Sequence, residues 1–450
     1  MKSRSRRARR HTVIDSRTLR VENLEQRRLL AADNIFAQFS GSVPSAAAEE
    51  QIAISVRSED FVLRGGKTIL GFHIQASSGS TLDPAVLEIL DDSQNVVAPR
   101  FSLADVNGQQ SSLVVAEMAT GSYTLVVSGE NGSAGEYALD VFLVGDADGN
   151  RQVDRDDANL IRGSFGAQAG DPDYRLEADT NLDGRITSQD LSEWVHNNGD
   201  ATSLTPLTLD FGPVPTSGML PDGTQLTSDP ATQLEGLTLP GFKVNLDTDG
   251  DGLFDDASVI AEPDGGFVFD PELIEGEVRS FAAEVSDSFG QHRVTRFDLA
   301  LDTTAPLLVG SNLDASDRFA RGFHTIEWEF SEAIDPGTIA ADTLRLFDES
   351  ANELNPLNIQ FVEGGSTLQT NYGALAPGDY GFLFKRSGLA DYAGNPLAGG
   401  YVIKLFTVVD ATIFWSSPVG GFWDDPANWS TGALPGPGGD VLIDPQGIVR

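Results

Sequence analysis

Oxygen-bearing side chains recur at alternate positions in two stretches of this sequence, and that pattern suits a hard cation. Residues 146–157 place Asp146, Asp148, Asn150, the Gln152 carbonyl, Asp154 and Asp157 at positions 1, 3, 5, 7, 9 and 12 of a calcium loop. Residues 179–190 place Asp179, Asn181, Asp183, the Arg185 carbonyl, Thr187 and Asp190 at the same positions. Calcium demands about 6–8 oxygens, and a chain wrapped around it offers alternate residues. The two loops start 33 residues apart, at Asp146 and Asp179. Position 8 is apolar and β-branched in both, Val153 and Ile186, which suits a short β-bridge between paired loops. The repeat in matched register separates these loops from a turn-rich acidic stretch without an ion. Calcium is therefore the expected cofactor, and chelation is expected to unfold 145–200 selectively.

The loops depart from the simplest pattern in two places. Position 12 is Asp in both, where an EF-hand places a bidentate Glu. Position 6 of the first loop is Arg151, where Gly would ease a sharp turn. A non-glycine residue at positive φ costs roughly 1–2 kcal/mol, so the first loop is expected to be the weaker or less regular site. A third candidate places Asp247, Asp249, Asp251 and Asp255 at positions 1, 3, 5 and 9, with Gly252 at 6 and Ser258 at 12. It reads either as a calcium-stiffened loop or as a solvated acidic hairpin.

Elements must hold these loops. Each of the first two runs toward a helix with an apolar stripe: Ala158, Ile161 and Phe165, then Leu191, Trp194 and Val195. Elsewhere short apolar runs end in turn signals. Tyr123, Leu125 and Val127 alternate before Asn131-Gly132, and Tyr137 to Val141 follows. In 325–330, Ile326, Trp328 and Phe330 share one face and Thr325, Glu327 and Glu329 the other, as a half-buried strand requires. The expected fold class is mainly β: tandem antiparallel β-sandwich modules, which the resemblances given below imply are Ig-like, with a small helical, EF-hand-like calcium module between them. The expected divisions are a basic leader at 1–32, a β-sandwich at 33–144, the calcium module at 145–200, sandwiches at 205–304 and 305–409, and a Trp- and Gly-rich module at 410–450.

Composition narrows the function. The 450 residues carry 67 acidic and 30 basic groups and no cysteine. A net charge of −37 argues against nucleic-acid binding. Zero Cys excludes disulfides, thiolate metal sites and cysteine nucleophiles. The charge is uneven: residues 1–30 hold ten basic and three acidic groups, a net +7, and the remainder carries −44. No apolar run approaches the roughly 18 residues of a membrane span. The five histidines are scattered and no nucleophile, P-loop or zinc motif occurs, so an enzyme is not expected. A two-carboxylate glycosidase has no short signature and stays open on sequence grounds.

Several phrases resemble known families. Gly145-Asp146 with the duplicated loop and helix resembles a type I dockerin over about 55 residues. That resemblance implies calcium at the ligands named above and a cohesin-like partner. Positions 10 and 11, which it implies select that partner, are Arg155-Asp156 and Ser188-Gln189, and the two pairs differ. Leu24-Glu25-Gln26-Arg27-Arg28-Leu29-Leu30-Ala31-Ala32 is similar to the N-terminus of planctomycete-type extracellular proteins, which implies export. Gly121 to Val127 is similar to the last strands of bacterial pre-peptidase C-terminal domains. Asp302-Thr303-Thr304-Ala305-Pro306 resembles the linker that ends bacterial Ig-like repeats. Ser331 to Thr338, Leu375 to Tyr380 and Asp391 to Leu397 together resemble the surface-layer type of bacterial Ig-like domain. Trp423, Asn428, Trp429 and Pro435 are similar to the entry of a β-solenoid; the Trp cluster reads as sugar platform or as core. The expectation is a secreted or cell-surface calcium-binding protein for adhesion, scaffolding or display. The other reading is an accessory component of extracellular polysaccharide degradation, meeting a cohesin-like protein or a cell-surface polysaccharide.

Overall fold

Short runs of alternating polarity, cut by Gly, Asn and Asp, fold as antiparallel strands because each run has one face to bury. The computed structural model describes residues 34–45, 48–106, 110–314, 317–417 and 420–443; the basic leader at 1–32 lies outside them. The chain is mainly β and divides into two compact units. One holds residues 1–206 with 287–291, the other 207–286 with 292–450.

The first unit contains a five-stranded sheet in the order Ile35–Val43, Gly135–Leu143, Lys67–Ala76, Ser111–Ala119, Phe101–Ala104. A three-stranded sheet, Glu50–Val56, Gly121–Val127, Glu88–Asp91, lies against it. Leu70, Phe72 and Ile74 point into the core between the sheets, with Ile54, Leu125 and Val127 opposite. The alternate residues of the central strand are buried too. Ile69 joins Leu113, Val115 and Phe142 in a second cluster that includes Leu182 of the second loop. Burial on both faces explains why Lys67–Ala76 reads as a near-continuous apolar run. Residues 287–291 pack in this unit, although their place in the sequence falls within the expected 205–304 module. Phe289 fixes them there, with its ring 5.3 Å from Phe36 and 6.0 Å from Phe61.

Two helices follow the two loops: α1 (Arg155–Gly163) and α2 (Ser188–Asn197). Each begins with a capping box, Asp154 with Asp157 and Thr187 with Asp190, so loop positions 9 and 12 also start the helices. Ala158 and Ile161 are fully buried. The expected stripes are otherwise too wide: Phe165 falls past the end of α1 and is 45% exposed, and Val195 is 59% exposed. The expected bridge between loops is also corrected. The Val153 amide donates to Asp200 O, and Gly199 N to Val153 O. Ile186 exchanges bonds with Gly166 and Ala167. Each loop therefore pairs with the segment that leaves the other loop's helix.

The second unit contains a six-stranded sheet around Val278–Ser286 and His292–Leu301, with a three-stranded sheet whose Phe211, Leu234 and Phe267 share its core. Four- and five-stranded sheets enclose a further core around Trp328, Phe382 and Phe384. Thr325–Phe330 is a strand with Ile326, Trp328 and Phe330 buried. At the C-terminal end, Trp429 is 2% exposed and meets Trp415 and Trp423 edge to face at 5.2 and 4.5 Å. Trp415 and Trp429 are thus core, and only Trp423 of the three is substantially exposed. No helix among the described residues is long and apolar enough to cross a membrane.

Candidate metal centre

The first loop is wired by its own carboxylates. Asp146 accepts from the amides of Gly149 and Arg151, Asp148 from Asn150, and Asn150 from Gln152. Asp157 closes the ring, accepting from Ala147 and Asp148 through one oxygen and from Asp154 through the other. Oxygens of Asp146, Asp148 and Asp157 all come within 4.8 Å of one another. Asp154 instead caps α1, accepting from Asp156 N. Gln152 forms a bridge to Ala201, in the segment that leaves α2.

The second loop repeats the wiring. Asp179 accepts from Asp183 and Gly184, Asn181 from Asp183, and Asp183 from Arg185. Asp190 accepts from Thr180 and Thr187. The Tyr174 hydroxyl donates to Asp179 at 2.7 Å, a contact with no counterpart in the first loop's sequence register. Arg185 also bridges to Gln168.

The third loop follows the same rule and closes differently. Asp247 accepts from Gly250 and Gly252, Asp249 from Asp251, and Asp251 from Leu253. Asp256, rather than Asp255, accepts from Thr248 and Asp249. Asp247, Asp249 and Asp256 converge within 4.8 Å, and Asp255 is not among them. Closure at position 10 rather than 12 lets this loop sit between strands Lys243–Asp247 and Ala257–Ile260 with no following helix. Adjacent acids at 255 and 256 were the available signal; a 12-residue register hides it. Arg296 stands 3.9 Å from Asp247, so this loop has a cation nearby that the first two lack among the described residues.

Backbone shape unites the three loops. Positions 4 and 6 are left-handed in each: Gly149 and Arg151, Leu182 and Gly184, Gly250 and Gly252. Arg151 stands at φ 66, the conformation expected to be costly for a non-glycine residue. Left-handed turns point successive amides and carbonyls inward, so alternate oxygens line one concave side.

Burial makes the loops electrostatically unsatisfied. Asp146 is pushed up to about 7 by loss of water and then by Asp157 beside it. Asp157 is pushed up to about 6, again chiefly by burial. Asp179 rises to about 7 through burial, and the Asp190 charge adds to it. Buried carboxylates facing one another hold protons unless a cation replaces them. A divalent ion placed here would compete with protons for the same oxygens.

The module is fastened to the sandwich. Asn197, at the end of α2, accepts from Ile69 N at 2.8 Å and donates to Ile69 O and Val144 O at 2.7 and 2.8 Å. Trp194 Nε1 donates to Asp154 O at 2.6 Å, tying α2 to the first loop. Ala201–Thr202 then pairs with Phe61–Val62 of the sandwich.

A fourth acidic group unites Asp302, Glu332 and Asp391 within 4.8 Å. Each lies in a phrase singled out above for its family resemblance, but they are remote in sequence and share no spacing. Glu332 is pushed up to about 7 by burial and by Asp302, Asp391 and Glu275.

No protein-family model matches this chain. No curated protein matches it either. Among solved structures, it is similar at 16% identity to the N-terminal part of the bacterial S-layer protein SbsC, covering 27% of this chain and 28% of that one, with a TM-score of 0.19. A 1.5-MDa bacterial ice-binding adhesin is 15% identical over 50% of this chain and 74% of its own, TM-score 0.20. CopC from Methylosinus trichosporium OB3b is 17% identical over 23% of this chain and 94% of its own, TM-score 0.19. Likeness at this level carries no argument about what this chain does.

Proposed function

We propose that this chain is a calcium-binding, multi-domain protein of the cell surface or extracellular space, serving adhesion, scaffolding or display. Its loop–helix pair is a dockerin-like module whose ions hold its loops, while Asn197 and Ala201–Thr202 fasten it to the adjoining sandwich. The observation that carries this reading is the common wiring: a position-1 Asp bonded to turn amides at left-handed positions, opposite a closing Asp. Asp146, Asp148, Asn150, the Gln152 carbonyl and Asp157 hold one ion, and Asp179, Asn181, Asp183, the Arg185 carbonyl and Asp190 a second, with Asp154 and Thr187 at position 9 capping the helices that follow. Asp247, Asp249, Asp251 and Asp256 hold a third. The bound ion supplies charge that offsets crowded carboxylates; no catalytic residue is assigned. Calorimetric titration of the chelated full chain with calcium tests it. Saturable binding at more than one site supports the reading, and no heat above dilution sinks it.

A second reading has one observation in its favour. Arg155, Asp156, Ser188 and Gln189 are all exposed, so a cohesin-like partner of a polysaccharide-degrading assembly could reach them. Pull-down with cohesins, with calcium and with chelator, decides between the two.

A further inference from the structure

The second unit carries a cleft of about 410 Å³ that the calcium reading does not use. Its size falls in the range of pockets that hold small ligands. One side is aromatic. Phe319 stacks on Phe323 with centroids 4.1 Å apart, and Phe414 and Trp415 continue the wall. Phe414 is 42% exposed, so a ring face is available to a ligand.

The other side is basic. Arg318, Arg321 and His324 all line the cleft. Outside the leader the chain has 20 basic groups against 64 acidic ones, so two guanidiniums and an imidazole lining one cleft are a local concentration of basic side chains. Arg321 gives one Nη to Asp410 at 3.1 Å, and a guanidinium has five donors in all. His324 Nδ1 lies 2.8 Å from Gly322 O, so its proton sits there. Its other ring nitrogen, Nε2, is left to meet a ligand hydroxyl.

We propose that this cleft binds a carboxylated sugar ring, a hexuronate unit of an acidic polysaccharide, with the apolar sugar face on Phe414 and the carboxylate toward Arg321 and Arg318. An aromatic wall alone would take any sugar; Arg321, with donors beyond the one given to Asp410, chooses an acid, because guanidinium–carboxylate bonds are directional and charge-assisted. His324 Nε2 is placed to meet a ring hydroxyl.

The proposal stands apart from the calcium loops, and its test keeps them apart. The full chain is titrated, at one fixed calcium level, with short oligogalacturonates, with their methyl esters and with a neutral glucan oligosaccharide. The acid form should bind, weakening as salt rises, and the esters and glucan should bind at least about tenfold more weakly. Arg321→Gln should weaken the acid form about tenfold and leave the esters unchanged; Phe414→Ala should weaken both. Asp255→Asn, outside both the cleft and the converging carboxylates, should change neither. Equal affinity for acid and ester, binding that survives both cleft substitutions, or no binding at all would each overturn the proposal. If Phe414→Ala fails to fold, Arg321→Gln at the exposed ion pair still decides it.

Discussion

Asp256 and Asp255 are neighbours with different fates, and the difference is set by which carboxylate the loop amides meet. Asp256 accepts from Thr248 and Asp249, which holds it below its ordinary value. Asp256→Asn should remove one calcium from the stoichiometry measured by calorimetry, whereas Asp255→Asn should leave the count unchanged. Arg151 makes a second case. Its φ of 66 is one that glycine adopts freely. Arg151→Gly should tighten the first loop's calcium site and stabilise the loaded module by about 1 kcal/mol, read from urea unfolding. His73 makes a third. It is 7% exposed, neither ring nitrogen has a partner, and burial lowers it from 6.5 to about 4. A base lowered on folding is protonated first in the unfolded chain. Its stability contribution is therefore complete above 6.5 and is lost as pH falls toward 4, on the order of 3 kcal/mol in all. Asp140, opposite it in the sheet and raised by burial, titrates in the opposite sense. Comparing His73→Leu with the parent isolates the histidine: the variant should lose less stability between pH 7.5 and pH 5, by urea midpoint of the first unit. An equal loss in both would refute this.

At the scale of elements, local chemistry was legible and long-range partners were not. The periods of Thr325–Phe330 and Gly121–Val127 announce strands, and the spacing from Asp146 and Asp179 marks where each loop begins. A spacing cannot say what a loop's eighth residue will pair with. Val153 and Ile186 are alike in sequence, yet they bond to 199–200 and 166–167 rather than to each other, because each helix returns its chain beside the other loop. Phe289 reads as an ordinary strand-end aromatic and belongs with Phe36 and Phe61. Asn197 reads as the polar end of a helix, which is a common place for Asn. Its three bonds to Ile69 and Val144 depend on the ends of two neighbouring inner strands, at sequence separations of 128 and 53. Replacing it leaves buried backbone groups without partners, at about 1–3 kcal/mol each. Asn197→Leu should therefore cost at least about 3 kcal/mol by urea unfolding of calcium-loaded protein, while Asn198→Leu next to it costs little.

At the scale of the molecule, the net charge of −37 is an average that hides where charge does work. Two of the three loops wired in this way lie in the first unit and one in the second. Ligand that binds only the folded state stabilises it, by about 2.7 kcal/mol per site at a hundred times the dissociation constant. Calcium should thus raise the thermal transition of the first unit more than that of the second. The extent of the effect follows from how the helical module is fastened. Val153 belongs to the same buried cluster as Phe72 and Leu125, and Asn197 and Ala201–Thr202 bond directly to sandwich strands. A module joined in this way does not unfold alone, which revises the expectation that chelation spares the β structure. Scanning calorimetry with EGTA should show the first transition moving down by several degrees as one event, with the helical and sandwich signals lost together. Proteolysis of the chelated chain should then open sites in 34–144 as well as in 145–200. A helical signal that disappears on chelation while the first-unit transition stays in place would show an independent module, and the bonds from Asn197 would then have no energetic weight.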